Sequence, residues 1–530
     1  MSLISGFRTA SLGTLVGRLA GLARDVATAM LLGASSSPAM DALAVALRLP
    51  ELFRRLFVEG ALSASYLPEA AAAHQRSPDE GRRLAGATLL RLTTLLALAV
   101  VAGEAALRGL MAAAGDSPTT LLLLRLNAVL LPMLMMICLT AHLAATLHAV
   151  GHFAVPSLTP ALLNVIWLVA ALFVAPRVSA DHTVQATVVA LAIVGAGVLQ
   201  FALQWTALAA LRLTPILHWS RDAGRIRRIA WGALPAMWGL SATHMNSFVD
   251  SYLAWSLTGE AGARMPTWGL FDAAYPLTQG AASTLHYAER LYMFPLGVVG
   301  LAVATAIYPL LSRHAARGDV PSVAADLVAG LRLVLALAVP AGVGLMALAL
   351  PITLLLFRHG EFGGDDATRT AQVVLVFGVG VWSICALPVL VRACYALDDR
   401  RWPVLLATLS VALNIVLDAV LVWPLAETGL ALATIVCTSL QTALLLVCFH
   451  LWRHRLDWRG LGVTVARAAA ASGAMLLAVW LVAPLVPAGE ALSLRLAAVV
   501  APLTCAAVAY VAVFLLLGGR ELTQLLKRRA

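Results

Sequence analysis

Five ionised side chains crowd one short apolar stretch, RLPELFRRLFVEGALSASYLP (48–68): Arg48, Glu51, Arg54, Arg55 and Glu59. At 100° per residue, with the kink expected at Pro50 ignored, Asp41, Arg48, Glu51, Arg55 and Glu59 fall within about 80° of one another, and Arg54 sits at the edge of that stripe. Upstream, Arg18 and Asp25 are spaced to share a helix face, with Arg24 adjacent. Further along, HYAERLYMFPLGVVG places Glu289 and Arg290 ahead of a kink expected at Pro295. Guanidinium groups are planar forks that grip phosphate oxygens two at a time. Arginines in apolar surroundings therefore suit a multivalent anion such as a pyrophosphate. Two alternatives stand beside that reading. Single arginines near span ends reach out to the interface, and an amphipathic stripe can lie flat on a membrane.

A second group is acidic and neutral. Asp250 stands in THMNSFVDSYLAW, Asn414 and Asp418 are spaced i, i+4 on one helix face, and Thr434 follows. Carboxylate, amide and hydroxyl oxygens suit a hard cation. The plainer alternative is a hydrogen-bonded polar cluster that orders its helices. No histidine or cysteine spacing suggests a transition metal. The cysteines (Cys138, Cys385, Cys394, Cys437, Cys448, Cys505) are scattered and form no disulfide framework.

The elements that must position these groups follow from composition. The chain is 61% hydrophobic and only 12% charged, with a mean hydropathy of +0.88. Apolar runs of about 20 residues recur throughout and read as membrane-spanning helices. A soluble fold would lack polar surface. We expect an all-α polytopic membrane protein of fourteen spans, near 7–33, 39–72, 84–113, 119–149, 153–176, 183–211, 229–256, 283–312, 321–350, 366–396, 402–424, 428–451, 461–486 and 492–518. The even-numbered gaps and the C-terminal end carry nineteen Lys and Arg residues; the odd-numbered gaps, with Arg369 at the edge of the span that follows one of them, carry four. The positive-inside rule then places both termini in the cytoplasm. The net charge of +10 lies largely in these gaps, so no nucleic-acid partner is expected. The first span carries Arg18, Arg24 and Asp25 and lacks a cleavage site, so no cleavable signal peptide is expected.

Four echoes recur at similar offsets: Tyr66 and Tyr308, Val100 and Val339, Asn164 and Asn414, Gln200 and Gln441. They suggest two parallel six-helix lobes around a central cavity, a transporter architecture, plus two C-terminal helices. The expected boundaries are 1–220, 221–456 and 457–530. In the first span, Gly13, Gly17 and Gly21 form a small-xxx-small ladder that admits a close neighbour.

GRLAGLARDVATAMLLGA, MDALAVALRLPELFRRLFVEGALSASYLP and AERLYMFPLGVVGLAVATAIYPLLS closely resemble the MurJ (MviN) family of bacterial lipid II flippases, in the MOP exporter superfamily. The similarity extends over nearly the whole chain. The resemblance implies transport, not catalysis: an undecaprenyl-pyrophosphate-linked peptidoglycan precursor moves between leaflets of the bacterial inner membrane by alternating access. It implies a cationic cavity of Arg18, Arg24, Arg55 and Arg290 with Arg54 nearby, balanced by Asp25, Asp41 and Glu59. Arg48 and Glu289 stand where Lys and Asp are common, and both keep the charge. The C-terminal pair would form a lipid-tail groove. Asp250, Asn414, Asp418 and Thr434 resemble a sodium site of some members, so sodium or protons are the expected coupling ion. Lipid II, membrane lipids and the cell-wall synthesis machinery are the implied partners. One departure is the connection over about 256–285, longer than the family's usual one.

Rival readings are another exporter of the superfamily, carrying drugs or polysaccharide precursors, and a non-transporting envelope scaffold. The arginines and the two extra spans argue against an antiporter for cationic drugs. No G-x-x-x-x-G-K-[ST], G-x-S-x-G or H-E-x-x-H motif supports a soluble enzyme.

Overall fold

The computed structural model describes residues 3–56, 62–115, 117–219, 245–259, 274–487 and 489–521, with isolated positions 224 and 263; at 3–16, 18, 55, 56 and 62–64 it describes backbone only. Within these residues the chain is helical, apart from one isolated parallel bridge between Thr258 and Leu277. Ten helices among the described residues are long and apolar enough to cross a membrane. One of them, Arg401–Trp452, runs for 52 residues, roughly 78 Å at 1.5 Å per residue and more than twice a bilayer's hydrocarbon thickness. It breaks at Ala426 (φ 50°, ψ −137°), just past Pro424. The two spans expected over 402–424 and 428–451 meet there.

Chain contacts divide the protein into two compact units, Met1–Ser256 with Gly360–Phe362, and Leu257–His359 with Gly363–Ala530. The first unit contains α1 (Leu3–Leu32), α2 (Pro38–Ala46), α3 (Arg48–Leu56), α4 (Leu62–Arg76), α5 (Pro78–Ala113), α6 (Pro118–Ala149), α7 (Ala154–Val178), α8 (His182–Ala210) and a helical stretch over 245–256, α9. Its core lies where α5, α6 and α8 meet, around Leu89, Leu96, Cys138, Leu139, Leu143 and Leu208. The connector after α8 runs back along α5: Ile216 N–H donates to Arg82 O at 3.0 Å, and Arg82 Nε donates to Thr214 O at 3.0 Å. Gly86 makes this contact possible, because a Cβ there would overlap the Ile216 carbonyl.

The second expected span, over 39–72, is not one rod. Helix α2 stops at Ala46, and α3 begins at Arg48. Pro50 cannot donate to the carbonyl of Ala46, and its ring crowds that carbonyl. Asp41 and Arg48 therefore lie on different helices, and the single stripe drawn across 41–59 is corrected to two shorter faces.

The second unit contains α10 (Ala281–Ala316), α11 (Val320–Ala347), α12 (Ala349–Phe357), α13 (Gly364–Ala396), α14 (Arg401–Trp452), α15 (Trp458–Leu485) and α16 (Leu492–Leu516). Just past Pro295, where a kink is expected, the α-helix gives way to a π turn over Leu296–Gly300 and then resumes. The C-terminal pair α15–α16 packs on α11 through Ala336, Ala468, Ala471, Met475, Ala506, Tyr510 and Phe514. Small residues let these helices approach closely where no hydrophobic effect drives association within lipid.

Aspartate and serine side chains close the helix starts. Ser37 caps α2, Ser77 α5, Asp181 α8, Asp319 α11 and Asp457 α15, each accepting a first-turn amide. The long connection between α9 and α10 is pinned where it begins and ends: Gly259 N–H donates to Leu277 O at 3.1 Å, and Leu277 N–H to Leu257 O at 3.3 Å.

Candidate functional site

In the first unit, the glycine ladder of α1 seats α7. A Cβ on Gly17 would stand 4.0 Å from Ala161 N, and one on Gly21 would stand 3.4 Å from Asn164 Nδ2. Asn164 uses that closeness, donating from Nδ2 to Gly17 O at 2.8 Å and accepting at Oδ1 from Arg24 Nη1 at 3.0 Å. Arg24 also donates from Nε and Nη2 to Asp25 Oδ1 at 3.0 and 2.7 Å. Its guanidinium lies 4.1 Å from the ring centroid of Trp167, a cation–π geometry worth about 0.5–2 kcal/mol. Trp167 is fixed in turn by donating Nε1 to Thr28 Oγ1 at 3.0 Å. Arg24 is thus held by an acid, an amide and an aromatic face, with its side chain 12% exposed.

Helix α3 carries charge on a gradient of burial. Arg48 is buried, and its Nε donates to Ser251 Oγ of α9 at 2.7 Å. Glu51 lies between Arg48 Nη1 at 3.9 Å and Arg54 Nη2 at 3.8 Å. Side-chain exposure rises along this row, from 5% at Arg48 through 18% at Glu51 to 42% at Arg54. Asp41 of α2 and Asp250 and Asn246 of α9 are buried. The side chains of Arg18 and Arg55, and the whole of Glu59, lie outside the described residues.

In the second unit, Glu289 and Arg290 occupy the helical turn before Pro295; Glu289 is buried and Arg290 half-buried, with Nη1 3.7 Å from Met293 Sδ. Asn414 and Asp418 are fully buried on α14, and Asn414 Nδ2 donates to Asp418 Oδ2 at 2.6 Å. Thr434, half-buried, stands on the far side of the break at Ala426. Of the four expected ion ligands, Asp250 belongs to the first unit and the other three to the second. Among the described residues no cluster of three or more His, Cys, Asp or Glu side chains could hold a metal. A carboxylate as deeply buried as Asp418 needs partners that offset its lost hydration, and Asn414 is one of them. Carboxylate and amide oxygens fit sodium or a proton, and a softer metal poorly.

Two arginine clasps had no local sequence signal. Arg369 of α13 pairs through Nε with Glu427, and donates Nη1 to Gln279 O at 2.7 Å and Nη2 to Thr278 O at 3.2 Å. It ties the exit of the long connection to the turn after Ala426. Arg332 of α11 donates Nε to Thr464 Oγ1 at 3.0 Å and to Glu521 Oε1 at 3.1 Å, and Nη2 to Glu521 Oε1 at 2.8 Å. Thr464 Oγ1 donates to the same Glu521 oxygen at 3.0 Å. Burial pushes the pKa of Glu521 up, but its own backbone amide together with Arg332 and Thr464 outweighs that, holding its carboxyl below the usual range.

The sequence profile described as Lipid II flippase MurJ matches residues 28–500. A Vibrio cholerae protein named probable lipid II flippase MurJ is 33% identical over 457 residues, covering 83% of this chain and 81% of that protein. A Burkholderia cenocepacia protein named lipid II flippase MurJ is 30% identical over 456 residues, covering 84% and 83%. Among solved structures, a lipid II flippase MurJ in an inward closed conformation superposes with a TM-score of 0.75 at 20% identity, covering 98% of this chain and 99% of that one. An inward-facing multidrug resistance MATE transporter of the MOP superfamily superposes at 0.61 with 14% identity, covering 89% and 96%. Both structural likenesses speak to the fold.

Proposed function

We propose that this chain, which belongs to the lipid II flippase MurJ family, is a membrane transporter that carries lipid II across the bacterial cytoplasmic membrane, from inner to outer leaflet. The family profile over 28–500 carries that reading, and relatives at 30–33% identity over most of their length support it. The physical difficulty of the task is the headgroup. A pyrophosphate in hydrocarbon loses its hydration, a penalty too large to leave uncompensated. Arg24, Arg54 and Arg290, with Arg18 and Arg55, supply replacement partners for its oxygens. Asp25 orients Arg24, and Glu51 pairs with Arg54, while no substrate is bound. The bond from Asn164 and the Trp167 face preset Arg24, so little side-chain entropy is lost when an anion arrives.

The orientation follows from the basic gaps: both termini face the cytoplasm. Asn414, Asp418 and Thr434, with Asp250, would hold sodium or a proton, whose inward movement resets the carrier. The cell-wall synthesis machinery stands downstream as consumer of the cargo. A drug or cation antiporter is the weaker reading, because structures at 14% identity share the fold without specifying the cargo.

The deciding experiment is an accessibility assay of labelled lipid II in vesicles reconstituted with the purified protein. Exposure of inner-leaflet lipid II should rise with the protein and respond to an imposed sodium or proton gradient. Vesicles in which lipid II stays as inaccessible as in protein-free controls would overturn the transport reading.

A further inference from the structure

The second unit holds a cavity of about 340 Å³ where the first turns of α11 meet the link between α14 and α15. Its floor is small and apolar: Pro321, Ala324, Ala325, Val328 and Ala329. Its polar lining is Arg332, His454, Arg455 and Asp457. These groups differ in how committed they are. Asp457 Oδ1 accepts Gly460 N–H at 2.9 Å as the cap of α15. Arg332 is set by Glu521 and Thr464 through Nε and Nη2, while its Nη1 donates to no described residue. The side chains of His454 and Arg455 are exposed and make no hydrogen bond or ion pair with any described residue. The result is a preset guanidinium edge and two uncommitted cationic or ionisable groups over an alanine floor.

The cavity lies at interfacial depth. α11 begins at Val320, α14 ends at Trp452 and α15 begins at Trp458, and both tryptophans are exposed, as residues of the aromatic belt are. The same link carries Arg453, Arg455 and Arg459, which on the orientation proposed above face the cytoplasm. We infer that this cavity is a second anion site, taking the phosphate group of an acidic phospholipid through Arg455, His454 and the open edge of Arg332. The small apolar floor receives the glycerol and the first methylenes. None of these residues is among the arginines assigned to the headgroup, so the site would hold a resident lipid against α11 and α15.

The test uses the full-length protein in detergent. Native mass spectrometry counts retained phosphatidylglycerol against phosphatidylcholine, and a thermal melt with glycerol 3-phosphate reports a soluble phosphate. Two variants remove the site differently: H454A with R455A removes the uncommitted groups, and Ala325→Leu fills the floor. Arg332 stays, because it also holds Glu521. Wild type should retain one phosphatidylglycerol more than either variant, at least ten-fold preferred over phosphatidylcholine, with lipid II binding unchanged in all three proteins. Glycerol 3-phosphate stabilising wild type but neither variant, with no lipid preference, would keep the phosphate chemistry and assign it to a soluble ligand. Equal phosphatidylglycerol retention in all three proteins, with no melt response, would overturn the site.

Discussion

Asn164 and Asn414 occupy echoing places in the two halves of the chain, yet they hold opposite charges. Asn164 accepts a hydrogen bond from an arginine, Arg24. Asn414 donates one to an aspartate, Asp418. An amide is ambivalent, with an acceptor on one side and donors on the other. Each amide takes the role its charged neighbour allows, acceptor beside Arg24 and donor beside Asp418. Tyr66 and Tyr308 diverge in the same way: Tyr66 is fully buried and bonded to Thr146 at 3.0 Å, while Tyr308 is 40% exposed. The sequence echo therefore does not extend to the surroundings of these side chains.

The comparison breaks most sharply at Arg24. Arg24→Ala should abolish support of growth in a strain depleted of its own flippase, and Arg24→Lys should fail too, since an ammonium cannot bond Asp25 and Asn164 while lying over Trp167. Normal growth with Arg24→Lys would mean that charge alone suffices. A step smaller, Arg369→Ala should leave Glu427 buried without its cation and cost about 3–5 kcal/mol of stability. A melting temperature within a degree of wild type would show that the clasp is ornamental.

The two asparagines sharpen the contrast. Losing a bond to a charged group costs about 1.5–3 kcal/mol, roughly 10- to 150-fold. Asn164→Ala should weaken lipid II binding by about that factor and leave any sodium response alone. Asp418→Asn with Asp250→Asn should do the reverse, flattening the sodium response at unchanged lipid II affinity. If each variant moved both readouts equally, the division between halves would be lost. The smallest effect belongs to Glu521. Its carboxyl is held below the ordinary glutamate range, so its clasp stabilises the protein above that range and is lost as pH falls through the lowered value. Melts of Glu521→Gln should show less acid sensitivity than wild type by about 1 kcal/mol; parallel curves would place the acid sensitivity elsewhere.

Much of this was legible in the residues, for identifiable reasons. Apolar runs of bilayer length announce helices regardless of tertiary context. Pro295 marked the place where α10 passes into a π turn, and the gap between the spans expected at 402–424 and 428–451 marked the break at Ala426. The glycine ladder of α1 announced a close neighbour, and α7 is that neighbour. Burial of individual arginines was not legible. Arg48 is spaced like a residue that reaches toward water, but Ser251, distant in sequence, takes its Nε into the interior. The pairs Arg369–Glu427 and Arg332–Glu521 are separated by 58 and 189 residues, and no helical periodicity spans such distances. The break at Leu47 was signalled by Pro50, whose expected kink the single stripe set aside.

Gly86 has one more consequence. The chain leaving α8 does not hang loose: it lies along α5, fastened at Arg82 and seated against bare backbone at residue 86. Even one added methyl would act as a wedge under that strap. A change as mild as Gly86→Ala should therefore push this connector off α5 while sparing every charged group in the substrate path.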